Sequence, residues 1–295
     1  MKITDIEVIA FRTTTRLLRT RWIGIRWVEP FDSVETITRI VTDEGPEGFM
    51  LGGDREVTEH IVKPLLVGEN PLDREKIWHW MEEITTSRQA LTERQMSVID
   101  CALWDLLGRM AGLPVHKLLG GCRDRVKAYA SCFDNLGPPE AYAEHALACK
   151  KQGYKAYKIH ACVQWDPDIG QPAPLIPGRP KDDVAVCRAV REAVGDDMVL
   201  MLDPFGSYTL EQALWVGREL EKLNFYWLEH PMMETRMEAY RRLTRELDIA
   251  ILSPEHLPGG RRLLSRDEFL RVSCRGVVGT DAGGSRRHRP FALVR

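Results

Sequence analysis

Apolar and polar residues alternate through ITDIEVIAF (3–11) and SVETITRIVTD (33–43), with the turn signal EGPEG (44–48) after the second run. That period of two predicts a pair of antiparallel strands. Between residues 93 and 111 the period lengthens: Met96, Ile99, Leu103, Leu106 and Met110 recur at helical spacing. Thr92 and Gln95 form a capping box at the start, and Gly112 with Pro114 stops the helix. These elements predict an α+β domain over residues 1–122.

After LLGG (118–121) short strand-like runs alternate with amphipathic helices. VKAYASC precedes a helix over 139–152, and AYKIHA, after a Pro-rich loop (164–181), precedes DDVAVCRAVREAVG. MVLMLDP leads to LEQALWVGRELEKL, FYWLEHP to MEAYRRLTREL, and IAILSPEH to RDEFLRVS, with RGVVGTDAGG last. Strands alternating with helices imply a parallel sheet, and so many repeats predict a TIM-type (β/α) barrel over 123–295. Neither LGGDRE nor GGCRDR has the GxGxxG spacing of a dinucleotide loop.

Composition narrows the classes of function. A net charge of −2 and a pI near 6.5 favour neither nucleic acid nor an acidic membrane surface. No apolar run approaches the ~20 residues of a membrane span. Asp5 and Glu7 interrupt the start where a signal peptide would be apolar. Seven cysteines without a CxxC pair read as reduced thiols, which places the chain in the cytoplasm.

Chemistry enters through the spacing of four acids. Asp203, Glu229, Glu255 and Asp281 stand 26 residues apart, each at the C-terminal end of its own predicted strand. In a parallel barrel those ends converge on the face that carries active sites. Clustered carboxylates repel and raise one another's pKa unless a cation is present. A hard divalent ion such as Mg²⁺, which prefers oxygen ligands, resolves that conflict. One strand earlier, Lys158 and His160 lie two residues apart and so share a face. If that face is the barrel interior, both look towards the acids.

As an ordered set, QMSVIDCALWDLLGRMAGLPVHKLLGG, YKIH, MLDP, WLEHP, SPEH and GTDAGG resemble the enolase superfamily, in its mandelate racemase and muconate lactonizing branch. The resemblance implies an N-terminal α+β capping domain followed by the barrel. It also implies Mg²⁺ held by Asp203, Glu229 and Glu255. His160 takes the place of the base that removes the proton α to a carboxylate, and Lys158 helps to neutralise that carboxylate. Asp281 matches the acid that orients a histidine on the seventh strand in this branch. For the substrate side, Trp22 and Arg26 of the arginine-rich loop TTTRLLRTRWIGIRW (13–27), with His256 of SPEH, are expected to meet a small-molecule sugar acid.

The expected activity is Mg²⁺-dependent dehydration of a sugar acid through an enediolate. Racemisation or epimerisation of a 2-hydroxy acid on the same site is the first alternative, and an inactive truncated barrel the second. The resemblance implies a symmetric homo-oligomer. Six barrel strands are counted where a complete barrel has eight, so the barrel is read as incomplete. Three explanations are open for the basic ending SRRHRPFALVR (285–295): a fragment, a frameshift near 272–285, or a short form completed by a partner chain. Its resemblance to out-of-frame translation favours the frameshift.

Overall fold

The buried apolar side chains sort into two separate cores. The structure, a computed structural model, describes residues 1–15, 18–19, 26–27, 30–88, 91–132, 136–160, 165–166, 171–172, 179–233 and 237–252. Two compact units form: Met1–Leu17 with Glu29–Val126, and Leu18–Val28 with Lys127–Arg295.

In the first unit, β1 (Ile3–Thr15), β2 (Phe31–Thr42) and β3 (Glu47–Leu51) make an antiparallel sheet with β2 in the middle. Ile6 and its cross-strand partner Ile40 lie on the covered face, and a register shift between Ile3 and Asp5 brings Ile3 to the same side. They meet Ile77 and Met81 of α1 (Arg74–Arg88) and Ile99, Ala102, Leu103 and Leu106 of α2 (Glu93–Ala111). The helix expected over 93–111 has those bounds. Its capping box is formed in both directions, and Gly112 ends it at φ 62°. On the opposite face Arg39 bridges Glu7 and Glu47. The helix α1 has no counterpart in the sequence reading above.

The second unit contains five parallel strands: β4 (Ala130–Ser131), β5 (Ala156–His160), β6 (Val199–Asp203), β7 (Trp227–Glu229) and β8 (Ala250–Leu252). Their order in the sheet is their order in the chain. A doubly wound sheet reverses direction at a switch point; this one does not, as expected of a barrel wall. Between the strands run α3 (Pro139–Lys151), α4 (Pro180–Val194), α5 (Leu210–Lys222) and α6 (Met237–Glu246). Tyr157, Ile159, Leu200, Leu202, Leu228 and Ile251 face this helical layer and form the core with it. VKAYASC yields only Ala130–Ser131 as strand, because the ladder to β5 is limited to Tyr157 and Lys158. The preceding Val126 is exposed.

A buried arginine joins the connections of this unit. Arg191 on α4 donates to the carbonyls of Gly195 (2.7 Å), Met198 (2.9 Å), Leu223 (2.8 Å) and Asn224 (2.9 Å). Burial pushes its pKa below that of an ordinary arginine, while Asp196 and Asp197 act in the opposite sense. Arg191→Ala should lower unfolding stability by about 3 kcal/mol, since hydrogen bonds from a charged donor contribute roughly 1.5–3 kcal/mol each and do not add fully. Arg191→Lys should recover only part of it, because an ammonium cannot span the fork. Urea unfolding midpoints check both.

Candidate active site

Strand register assembles the site. His160 pairs with Asp203 and Lys158 with Met201 across β5 and β6, while Met201 pairs with Trp227 across β6 and β7. Parallel neighbours share a face, so Lys158, His160, Asp203, Trp227 and Glu229 all project to the side away from the helices. Lys158 Nζ stands 3.2 Å from Oδ2 of Asp203 and 3.0 Å from Oε2 of Glu229. His160 Nε2 lies 3.3 Å from the same Asp203 oxygen.

Each polar group has a defined support. The indole N–H of Trp227 donates to Oε2 of Glu229 at 3.0 Å, and the amide of Phe205 donates to Oδ1 of Asp203 at 3.1 Å. The Nδ1 of His160 meets the carbonyl oxygen of Cys132, which can only accept, so Nδ1 carries a proton. Nε2 is therefore the nitrogen able to exchange its proton. Lys158 also sits over the Tyr129 ring, 5.6 Å from its centroid, and Tyr129 meets Trp227 edge-on. Two non-glycine residues at the strand ends hold left-handed backbone, Phe205 at φ 53° and His230 at φ 39°. The loops they belong to are joined: Gly206 N–H donates to His230 O at 2.6 Å, and Tyr208 N–H to Pro231 O at 3.0 Å.

The charges are unequal. Burial works to raise the pKa of Asp203, but the contact with His160 and the charge of Lys158 outweigh it and hold the carboxyl below the usual range. Glu229 is pushed up, by burial first and then by the charge of Asp203. Burial works against the charged form of Lys158, yet the two acids hold its pKa above that of an ordinary lysine. Two buried carboxylates thus crowd one region and share a single ammonium. Such hard oxygen donors suit Mg²⁺, so Asp203 and Glu229 fit as two of its ligands. Among the described residues no three His, Cys, Asp or Glu side chains gather as a metal-ligand set. Glu255, expected as the third ligand, lies outside the described residues, as do Asp281, His256 and Trp22. The backbone of Arg26 pairs with Arg19 in a short antiparallel ladder, but its side chain is also outside them.

Comparisons with known proteins identify the family. Residues 37–120 match the mandelate racemase / muconate lactonizing enzyme N-terminal domain, and residues 141–278 match the enolase C-terminal domain-like family. A crystal structure of D-glucarate dehydratase from Agrobacterium tumefaciens, complexed with magnesium, superposes with a TM-score of 0.81 at 37% identity. That match covers 94% of this chain and 72% of the other. Arabinonate dehydratase of Saccharolobus solfataricus is 31% identical over 75% of this chain and 55% of its own length. The L-talarate/galactarate dehydratase of Salmonella typhimurium is 31% identical over 78% of this chain and 54% of its own. The chain therefore spans about half the length of the curated relatives it matches. It belongs to the mandelate racemase/muconate lactonizing enzyme branch of the enolase superfamily, with that family's N-terminal α+β domain and barrel.

Proposed function

We propose that this site belongs to an Mg²⁺-dependent acid-sugar dehydratase, a hydro-lyase acting on a small-molecule carboxylate. The observation that carries the reading is the convergence of Lys158, His160, Asp203 and Glu229 on one face within 3.0–3.3 Å contacts. Asp203 and Glu229, with Glu255, would hold the ion, which when bound supplies Lewis-acid stabilisation of charge on the substrate carboxylate. His160 Nε2 takes the proton from the carbon α to that carboxylate. Lys158, already held charged between two acids, offsets the negative charge that builds on the carboxylate oxygens. The β-hydroxyl then leaves as water, taking up the proton that His160 removed as the Cβ–O bond breaks, and the resulting enol tautomerises to a 2-keto-3-deoxy acid. Dehydratases among the relatives support this choice of reaction over racemisation. The free thiols of Cys101, Cys122 and Cys149 suit a cytoplasmic setting. No helix among the described residues is long and apolar enough to cross a membrane.

The test is turnover of a panel of sugar acids with Mg²⁺, read as 2-keto-3-deoxy product and as deuterium uptake from D₂O. His160→Asn should lower the rate by about 10²–10⁴-fold, the usual contribution of a general base. Deuterium uptake without loss of water would replace dehydration with racemisation. Absence of both, together with no Mg²⁺-dependent rise in melting temperature, would favour an inert barrel.

A further inference from the structure

An imidazole tied down at one nitrogen still swings about that contact. His160 is tied at Nδ1 by the Cys132 carbonyl. Its second restraint is flat: the Phe205 ring lies against it, with centroids 4.8 Å apart and planes 21° from parallel. Phe205 holds that place at φ 53°, a conformation rare for a bulky side chain and costly to keep. Strain kept beside reacting groups is the kind of outlier from which a role can be inferred. The amide of the same residue fixes Oδ1 of Asp203, leaving Oδ2 to Lys158 and His160. Just beyond it, Gly206 is pinned to the carbonyl of His230, and a Cβ on Gly206 would lie 2.8 Å from that histidine's Nε2. The turn carrying Phe205 is thus clamped against the neighbouring strand end.

We propose that Phe205 is a positioning residue for the His160 base, its ring setting the imidazole plane while its amide sets the Asp203 carboxylate. The inference rests on His160 being the base. Proton abstraction needs the lone pair of Nε2, which lies in the ring plane, aimed at the α-carbon. Rotation about the Cys132 contact carries Nε2 off that line, and a displacement of about 1 Å can cost on the order of 10²-fold in rate.

Three variants test it: Phe205→Leu keeps apolar bulk without a flat face, Phe205→Gly keeps the amide and relieves the backbone, and Phe205→Tyr keeps the face. Leu and Gly should each lower kcat for α-proton exchange by about 10- to 100-fold with KM nearly unchanged, and Tyr should restore it. The Mg²⁺-dependent melting shift should persist in all three. A second readout needs no turnover: the Hε1 resonance of His160, assigned by its loss in His160→Asn, should shift in Phe205→Leu as the ring current disappears, and stay in Phe205→Tyr. Wild-type kcat in Phe205→Leu would overturn the proposal. So would parallel loss of kcat and of the Mg²⁺ shift, which would mean a loop scaffold only. If the wild-type chain exchanges no α-proton with any acid, the assignment of His160 as base fails. The resonance then decides the stacking alone, and an unmoved signal in Phe205→Leu overturns it.

Discussion

An Asp203→Asn protein should keep its fold, lose its Mg²⁺-dependent rise in melting temperature, and lose turnover by about 10³-fold or more. The last figure corresponds to roughly 4 kcal/mol of transition-state stabilisation, in the range a Lewis-acid metal supplies. Asparagine is nearly isosteric and can still accept from the Phe205 amide, so the turn after β6 has no reason to move. The neighbouring charges should rearrange favourably. With Asp203 neutral, the second cause of the raised Glu229 pKa disappears, and Glu229 ionises more readily beside Lys158, 3.0 Å away. The buried ammonium therefore keeps a counter-ion. The cost to the metal-free protein should be well below the ~3–5 kcal/mol of a buried pair broken outright. Melting with and without millimolar Mg²⁺, and α-proton exchange, measure the two halves of the prediction. A Mg²⁺ shift that survives in the variant would remove Asp203 from the ligand set. Collapse of the metal-free fold would instead make Asp203 a stability residue.

What the sequence made readable follows from how local each signal is. The helix Glu93–Ala111 was legible to its ends because a reciprocal capping box and a left-handed glycine are short-range features. The same holds for the alternation that puts Lys158 and His160 on one face, and for the repeated interval that carries Asp203 and Glu229 to neighbouring strand ends. The edge strand β4 was overestimated because its length depends on a partner far away in the chain. Trp227 reads from the sequence as a packing residue. It is buried, but its indole also donates to Glu229, a contact decided by ring orientation rather than by position in the strand. Phe205 gave no usable signal. A Pro-Phe-Gly turn after an acid would suggest positive φ at the glycine, whereas both Phe205 and Gly206 adopt it. The main-chain carbonyl that orients His160 belongs to Cys132, and a main-chain contact of this kind does not depend on which side chain the position carries.

In the first unit the largest loss of stability is expected from Gly48→Ala. Gly48 lies buried in β3, paired with Ile40 of the central strand, and faces α2. A Cβ built there would sit 2.1 Å from the carbonyl oxygen of Ala102, 2.7 Å from Cβ of Leu106 and 2.9 Å from its amide nitrogen. None of these atoms belongs to a side-chain end that a rotamer change could move aside. Relief requires α2 and the sheet to separate, although the Phe49 amide is bonded to Asp105 of that helix at 2.9 Å. Separation would loosen the contacts of Ile40 with Ala102, Leu103 and Leu106 in the core. Overpacking typically costs about 1–3 kcal/mol and more when backbone must shift, so about 3–4 kcal/mol is expected here. Gly45→Ala is the control. Unlike Gly48 it has positive φ, at 99°, and nothing lies within 4 Å of its Cβ position. Its loss should be limited to backbone strain of roughly 1–2 kcal/mol. Denaturant midpoints of the two variants separate close helix–sheet approach from turn geometry. Equal losses would mean that α2 yields at Ala102, and that the contact at Gly48 does not limit how closely this helix packs on its sheet.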